Sequence, residues 1–244
     1  MKLAFSRRGL LVAAAMLPAA AHMRFTLAGD VAVAKKVVLL GDSVFDNRAY
    51  IPGDADVLQH LVRRLPAGWS ATLLAADGGR MNDVRLQLQR LPGDSTHLVV
   101  SMGGNDALRV SDVLNFPSRS VAEALLTLAE TREQFCSSYF ATLDAILAAK
   151  LPTAICTIYD VRYADPDQRR VAVTALSILN DCITRAAAER GVALIDLCVI
   201  CNQDSDFANA IEPSEQGGSK IAAAIVSFLA PNPSPAGRSE LIAR

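Results

Sequence analysis

The sequence has few cysteines and histidines, no excess of charge of either sign, and no long apolar run in its body. Five cysteines in 244 residues, an odd number, exclude a small disulfide-dense fold. Lysine and arginine number 24 against 25 acidic residues, and no basic cluster occurs, so nucleic-acid binding is not expected. The body contains no run of 18 apolar residues, which argues against an internal span and a stable membrane anchor. The 51% apolar content instead favours a packed globular core.

The first 28 residues have the features of an export signal. Basic residues near the start precede an uncharged stretch of mostly Leu, Val and Ala, which ends in three alanines at 19–21. Residues 6–11 (SRRGLL) are similar to a twin-arginine signal, which is read by a receptor. We therefore predict a leader at 1–28 and a periplasmic or extracellular protein. The alternative is a cytoplasmic protein with an over-long N-terminus, whose true start is Met23.

Short apolar runs alternate with helical patterns through the rest of the chain. The pattern predicts five strands, at 36–40, 71–75, 98–101, 153–157 and 193–196. It predicts helices at 58–65, 84–91, 121–149, 171–190 and 219–229. Such alternation is typical of a parallel sheet covered on both faces. We predict an α/β fold with three α/β/α layers over residues 36–230, followed by a mobile tail at 231–244.

Three of the predicted strands are followed by residues suited to chemistry at the carboxyl edge of the sheet. Ser43 follows the first strand, and it is either a nucleophile or the cap of a helix. Gly78 follows the second, where its N–H approaches a ligand or its backbone makes a tight turn. Asn105 follows the third, and its amide either donates to an oxyanion or sits in a turn.

Taken together, Gly41-Asp42-Ser43, Gly78 and Gly103-Gly104-Asn105-Asp106 resemble the blocks of the SGNH (GDSL-type) hydrolases. These enzymes are esterases, lipases, thioesterases and carbohydrate deacetylases. The resemblance runs from about Lys36 to Leu229. It implies a flavodoxin-like α/β/α fold with a five-stranded parallel sheet, no metal or organic cofactor, and a small-molecule, carbohydrate or lipid ester as substrate.

The same resemblance assigns roles by position. It implies that Ser43 is the nucleophile. It also implies an oxyanion hole made by the N–H groups of Ser43 and Gly78 and the side chain of Asn105, with Gly79 as the next choice for the glycine. Phe45, Asp46 and Asn47 continue the first block, and we expect them to form part of the site wall.

The fourth block departs from the family pattern, which has Asp-x-x-His before the last helix. Asn209 stands in place of the Asp and Glu212 in place of the His. The predicted fold puts none of the three histidines at the site: His22, His60 and His97. Glu212 is therefore either a general base made stronger by burial, or an acid at the start of the last helix. Asp46 and Asp106 are weaker candidates because turn hydrogen bonds would occupy them.

Two further groups of residues bear on the substrate. Tyr159, Asp160, Arg162 and Tyr163 follow the fourth strand and either line a pocket or cover the sheet edge. Residues 107–120 form the main insertion and are expected to determine specificity. The small residues in the blocks argue against a deep lipid channel.

The cysteines give no sign of a metal site. Cys198 and Cys201 form a lone CxxC, whereas zinc needs a second pair, so they are either buried thiols or a disulfide formed after export. The other three are expected to be core residues: Cys136, Cys156 and Cys182.

The sequence thus predicts an exported serine hydrolase that cleaves an acyl ester through Ser43, with Glu212 as an atypical base. The alternative is a catalytically degenerate relative that binds an acyl or carbohydrate ligand. A flavodoxin-like cofactor binder is disfavoured because no GxGxxG or P-loop is present.

Overall fold

The structure is a computed structural model that describes residues 34–230 and contains a five-stranded parallel sheet. Its strands are β1 (Lys35–Gly41), β2 (Trp69–Leu73), β3 (His97–Ser101), β4 (Thr153–Cys156) and β5 (Ala193–Ile195). Their order in the sheet is β2-β1-β3-β4-β5. The predicted parallel sheet is confirmed. The leader predicted at 1–28 and the tail predicted at 231–244 lie outside the described residues.

Helices cover both faces of the sheet, which confirms the predicted three layers. They are α1 (Val57–Arg64), α2 (Met81–Leu88), α3 (Gly104–Arg109), α4 (Val121–Leu147), α5 (Pro166–Arg190), α6 (Leu197–Ile200) and α7 (Glu215–Leu229). Val37 and Leu39 of β1 pack towards α1 and α7, whereas Val38 and Leu40 pack towards α2, α4 and α5. All four side chains are fully buried, which explains why this strand is apolar at every position.

Several elements begin earlier than the apolar pattern predicts. α5 begins at Pro166 rather than 171 because the Asp165 side chain accepts a hydrogen bond from the Gln168 N–H and proline suits the first helical position. α7 begins at Glu215 rather than 219, capped in the same way by Ser214. β2 and α2 start two and three residues before their predicted starts, at Trp69 and Met81. The polar first turns of these helices conceal their starts.

α4 and α5 are much longer than the strands beside them. At 1.5 Å per residue they are each about 40 Å long, whereas a five-residue strand such as β3 covers about 17 Å. Both helices run back to the amino edge of the sheet, so their N-terminal halves project beyond its carboxyl edge. α5 is long and apolar enough to cross a membrane by length and composition alone, but here Leu179 and Ile183 pack it on the sheet side.

The prediction that Cys156 and Cys182 are core residues is confirmed, and Cys136 is partly buried against the same core. Cys136 of α4 and Cys182 of α5 also form a disulfide with Cα atoms 5.7 Å apart, which the sequence did not predict. Cys198 and Cys201 are unpaired thiols, and Cys201 and Cys156 are buried. The disulfide joins the middle of α4 to the second half of α5.

Candidate active site

Ser43 lies in the turn that follows β1 at the carboxyl edge of the sheet. The N–H groups of Phe45 and Asp46 bond to the Asp42 carbonyl at 3.1 and 3.2 Å, which closes a single turn around Ser43. The next α-helix begins only at Val57. The alternative that Ser43 is the cap of a helix is therefore wrong.

The chain just before Ser43 is held tightly. Gly41 has φ +127°, and a Cβ there would lie 1.7 Å from the Ser101 carbonyl oxygen, so only glycine fits. The buried Gln87 side chain accepts from the Gly41 N–H at 2.7 Å and donates to its carbonyl at 2.8 Å. These two bonds fix the position from which the Ser43 side chain projects.

Glu212 meets Ser43 directly, although 169 positions separate them. Ser43 Oγ donates a hydrogen bond to Glu212 Oε1 at 3.1 Å, and both side chains are buried. Glu212 precedes α7 by three residues, and Ser214 caps that helix. The alternative that Glu212 is a helix-start acid is therefore wrong.

The loop that carries Glu212 is fixed by three side chains. Asn209 Oδ1 accepts from the N–H groups of Ile211 and Glu212 at 2.9 and 3.0 Å, so it orients the backbone of Glu212. Tyr159 Oη donates to the Ile211 carbonyl. Asn47 Nδ2 donates to the Pro213 carbonyl at 3.1 Å. The loop conformation thus holds the Glu212 carboxylate against Ser43.

The surroundings of Glu212 make its carboxylate unusually basic. Burial, opposed by the hydrogen bond from Ser43 and assisted by the negative charge of Asp77, raises the pKa of Glu212 from 4.5 to about 7. Within the described residues Glu212 Oε2 is buried and has no hydrogen-bond partner. At neutral pH the group therefore exchanges a proton readily, as a general base must.

Asp42, which the sequence did not single out, is a second buried carboxyl beside the nucleophile. Asp42 Oδ1 accepts from Ser101 Oγ at 3.0 Å and from the Val44 N–H at 3.2 Å. Burial raises its pKa from 3.8 to about 7, against these hydrogen bonds and with a smaller contribution from Glu212. Its position directly before Ser43 is visible in the sequence, but its burial is not.

We expect Asp42→Asn to stabilise the protein above pH 7. Asparagine keeps an oxygen for Ser101 and Val44 but carries no charge to bury. Between about pH 4 and 7 the native protein holds a proton that the unfolded chain has lost, so wild-type stability falls as pH rises, by about 4 kcal/mol at most. Urea unfolding at pH 4 and pH 8 measures the difference, which should be larger at pH 8.

The control for this substitution is Asp94→Asn. Asp94 is an exposed carboxylate whose pKa the Lys36 hydrogen bond lowers, so its replacement should not stabilise the protein at pH 8. An Asp42→Asn effect of the same size at both pH values would contradict the raised pKa.

Asn105 lies in the first turn of α3 and points back towards the β2 turn. Its Nδ2 donates to the Gly79 carbonyl at 3.0 Å. The left-handed residue of this block is Gly103, with φ +104°. The alternative of a left-handed turn asparagine is therefore wrong, and the amide is positioned at the same edge as Ser43.

In the turn that follows β2, the N–H groups of Gly78 and Gly79 differ in whether they are already hydrogen-bonded. The Gly79 N–H bonds to the Ala76 carbonyl at 2.9 Å, so it is already occupied. Gly78 is exposed with φ +72°, and within residues 34–230 its N–H makes no such bond. Gly78 is the better donor of the two, but unlike Ser43 and Asn105 it does not line the cleft.

Ser43, Asn105 and Glu212 line one open cleft. Ser101 and Asp42 lie at the same end. Ile158, Tyr159, Val161 and Tyr163 line it after β4. The insertion contributes Ala107, Leu108, Val110, Ser111, Val113 and Leu114, which agrees with its expected place at the substrate. Of the residues after β4, Asp160 and Arg162 do not line the cleft.

The expected wall of Phe45, Asp46 and Asn47 is not formed. Phe45 is fully buried in the core, and Asn47 is buried between Pro213 and the start of α1. Asp46 accepts from the Asp77 N–H at 3.1 Å. Val44, directly before these three residues, lines the cleft instead.

Other acids near the edge have structural partners. Asp106 Oδ2 accepts from the Met81 N–H at 3.1 Å, at the start of α2. Asp46 and Asp106 thus each accept a hydrogen bond from a backbone N–H, as predicted. The donor lies in a neighbouring segment, however, and not in the turn that carries the aspartate. In the part of the chain that is described, no group of three or more His, Cys, Asp or Glu side chains could hold a metal ion.

The two histidines in the described region lie away from the cleft. His60 Nε2 lies 2.9 Å from Glu215 Oε1 at the start of α7. His97 begins β3 at the amino edge and packs against Trp69, with ring centroids 4.9 Å apart. Neither histidine lines the cleft, so Glu212 is the titratable group that contacts Ser43.

The fold and this serine site define a hydrolase of the SGNH type. The sequence matches the model of the GDSL-like lipase/acylhydrolase family over residues 39–220. The chain belongs to this family. A search of curated protein sequences gives no significant match.

Solved structures share the fold at low sequence identity. The extracellular lipase of Streptomyces rimosus is 18% identical with a TM-score of 0.59, covering 80% of this chain and 100% of its own. Phospholipase A1 of Streptomyces albidoflavus NA297 is 17% identical with the same TM-score and coverage. The lipase Lip_vut3 from a goat rumen metagenome is 14% identical with a TM-score of 0.63, covering 80% and 97%.

Proposed function

We propose that the protein is a carboxylic ester hydrolase in which Ser43 is the nucleophile and Glu212 the general base. The observation that carries the proposal is the direct hydrogen bond from Ser43 Oγ to Glu212 Oε1, 3.1 Å long, at the polar end of the cleft. A serine hydroxyl needs a base to take its proton as it attacks. A buried carboxylate with a pKa of about 7 accepts that proton more readily than an exposed glutamate.

Acylation uses Ser43, Glu212 and the oxyanion donors. Ser43 Oγ attacks the acyl carbonyl carbon, and its proton passes to Glu212. The carbonyl oxygen becomes an oxyanion, which the N–H of Ser43 and the amide of Asn105 stabilise from the cleft wall. The N–H of Gly78 is a third donor only if the substrate reaches beyond this wall. The intermediate then collapses: the ester C–O bond breaks, the proton on Glu212 moves to the leaving alcohol oxygen, and the acyl group stays on Ser43.

Deacylation reuses the same groups. A water molecule attacks the acyl carbonyl and gives one proton to Glu212. The bond from the acyl carbon to Ser43 Oγ then breaks, and Glu212 returns the proton to Ser43. Asn105 has two amide hydrogens, and the Gly79 carbonyl takes only one of them, which leaves the second for the oxyanion.

We also propose that the protein is exported through its leader. The Cys136–Cys182 disulfide supports this, because disulfides persist in oxidising compartments outside the cytoplasm. A small-molecule, carbohydrate or lipid ester is then the substrate encountered there.

Labelling with a fluorophosphonate tests the proposed nucleophile. We expect the folded protein to form a stoichiometric adduct on Ser43, located by peptide mass spectrometry, because Glu212 activates that hydroxyl. Ser43→Ala is the control and should remain unlabelled. Folded wild-type protein that does not react would instead favour a protein that only binds a ligand in the cleft.

A further inference from the structure

Arg162 packs against the loop that carries Glu212. It follows β4 in the segment that also supplies Tyr159 and Val161 to the cleft, but it does not line the cleft itself. Its side chain is only 10% exposed, which is unusual for an arginine and requires partners for its charge. Those partners belong to the loop between α6 and α7, residues 201–214.

The contacts of Arg162 are spread along this loop from its start to its tip. Arg162 Nη2 donates to the Cys201 carbonyl at 3.3 Å, and its Nε lies 3.2 Å from Asp204 Oδ1. The guanidinium carbon lies 4.9 Å from the centroid of the Phe207 ring. The Arg162 backbone N–H donates to the Ala210 carbonyl at 2.7 Å. One residue thus holds the loop at four positions.

Phe207 connects these contacts to Glu212. It forms an antiparallel bridge with Pro213, and the N–H of the next residue, Ala208, donates to the Glu212 carbonyl at 2.9 Å. Tyr159 also packs edge-on against the Phe207 ring, with ring centroids 5.0 Å apart. A shift of Phe207 would therefore displace the backbone that carries the carboxylate.

We propose that Arg162 is a positioning residue that holds the Glu212 carboxylate against Ser43 through Phe207. This inference rests on the proposed role of Glu212 as the general base. A planar guanidinium can stack on a ring and bond to two oxygens at once, which a lysine ammonium cannot do. The hydrogen bond from Ser43 to Glu212 is 3.1 Å long, and a displacement of the loop by about 0.5 Å would break it.

Arg162→Met tests the proposal by hydrolysis of p-nitrophenyl acetate. Methionine keeps an apolar stem and removes the guanidinium. We expect kcat to fall about ten- to a hundredfold, because misplacing a catalytic group by about 1 Å has an effect of this size. KM should be unchanged, since Arg162 does not line the cleft.

Arg190→Met is the matched control. The Arg190 guanidinium also lies over a phenyl ring, that of Phe140, at 5.0 Å, and it bonds to Asp144 at 2.7 Å. These contacts join the C-terminal ends of α4 and α5, away from the loop, so kcat should stay that of the wild type. Equal losses of kcat in the two variants would show a general effect of losing such contacts and would overturn the proposal.

The pKa of Glu212 is a readout that a merely structural role for Arg162 would not move. Burial is the main cause of its raised pKa, so a displaced, more exposed carboxylate should titrate below the wild-type pKa of about 7, towards 4.5. The titratable groups that face Glu212 belong to the segments after β1, β2 and β4: Asp42, Tyr50, Asp77 and Tyr159. NMR titration of the Glu212 carboxyl signal, assigned by comparison with Glu212→Gln, measures the shift.

The direction of this shift decides between displacement and direct electrostatics. A lower pKa of Glu212 in Arg162→Met supports the proposal. A higher pKa would mean that the lost positive charge acts on the carboxylate through space, and an unchanged pKa would mean that the loop does not move. Either of these two results would overturn the proposal.

Two further variants decide the matter if Arg162→Met does not fold. Phe207→Leu keeps the guanidinium but removes the ring that it covers, and it should lower both kcat and the pKa of Glu212. Arg162→Lys keeps the charge beside Asp204 and should retain more activity than Phe207→Leu. Wild-type kcat and pKa in Phe207→Leu would count against the proposal.

The NMR titration keeps this inference separate from the function on which it rests. A wild type that hydrolyses no ester would contradict the hydrolase, whereas a lower pKa of Glu212 in Arg162→Met would still support the positioning role. Activity that Glu212→Gln abolishes but Arg162→Met leaves intact would overturn the positioning role alone.

Discussion

Ser43→Ala is expected to lower kcat for an activated ester by about 10⁴-fold or more, the largest effect of any single substitution in the site. The variant loses the atom that attacks the acyl carbon, and within residues 34–230 no other hydroxyl bonds to the Glu212 carboxylate. The oxyanion donors remain, so hydrolysis above the rate in water can persist without a covalent intermediate. Steady-state hydrolysis of p-nitrophenyl acetate measures the loss.

The control is Ser137→Ala, on the exposed side of α4, where the same change of side chain should leave turnover intact. Turnover by Ser43→Ala close to that of the wild type would mean that another group carries the reaction. The protein must be compared in its folded state, which its far-ultraviolet circular dichroism can establish.

The next largest effect is expected for Glu212→Gln, which should reduce kcat by about 10²–10⁴-fold. Glutamine is nearly the same shape and still offers an oxygen to Ser43 Oγ, but it cannot take up the proton. The loss therefore reports proton transfer and not a change of packing. Labelling of Ser43 by a fluorophosphonate should slow in parallel.

Glu215→Gln is the matched control, three residues further along the same loop-to-helix segment. Glu215 lies 2.9 Å from His60 and does not line the cleft, so its change should leave kcat unchanged. If Glu212→Gln kept full activity while Ser43→Ala lost it, Glu212 would not take part in proton transfer, and water or another group would be the base.

The strands and the residues that directly follow them can be predicted from the sequence, because each depends on a short stretch of chain. The buried run Val37–Leu40 reveals β1. The blocks at Ser43 and Asn105 each follow a strand, and parallel strands bring their carboxyl ends to one edge. The substitution of Glu212 for the family histidine could likewise be found from its spacing to Pro213 and the last helix.

What the sequence could not predict depends on contacts between distant segments. The sequence offered Glu212 as a base, but not the two hydrogen bonds by which the Gln87 side chain holds Gly41, 46 positions away. Burial of Asp42, and with it the raised pKa, follows from such contacts.

The pH dependence of kcat/KM tests the central claim, that Ser43 is activated by Glu212, most directly. Because the carboxylate form is the base, activity should rise with pH through a single ionisation near pH 7 and then level off. Asp42 titrates in the same range, so Asp42→Asn must be measured alongside, and its kcat/KM should still rise with pH near pH 7. The residual activity of Glu212→Gln should not show this rise. A flat wild-type profile, or the same rise in Glu212→Gln, would contradict the account.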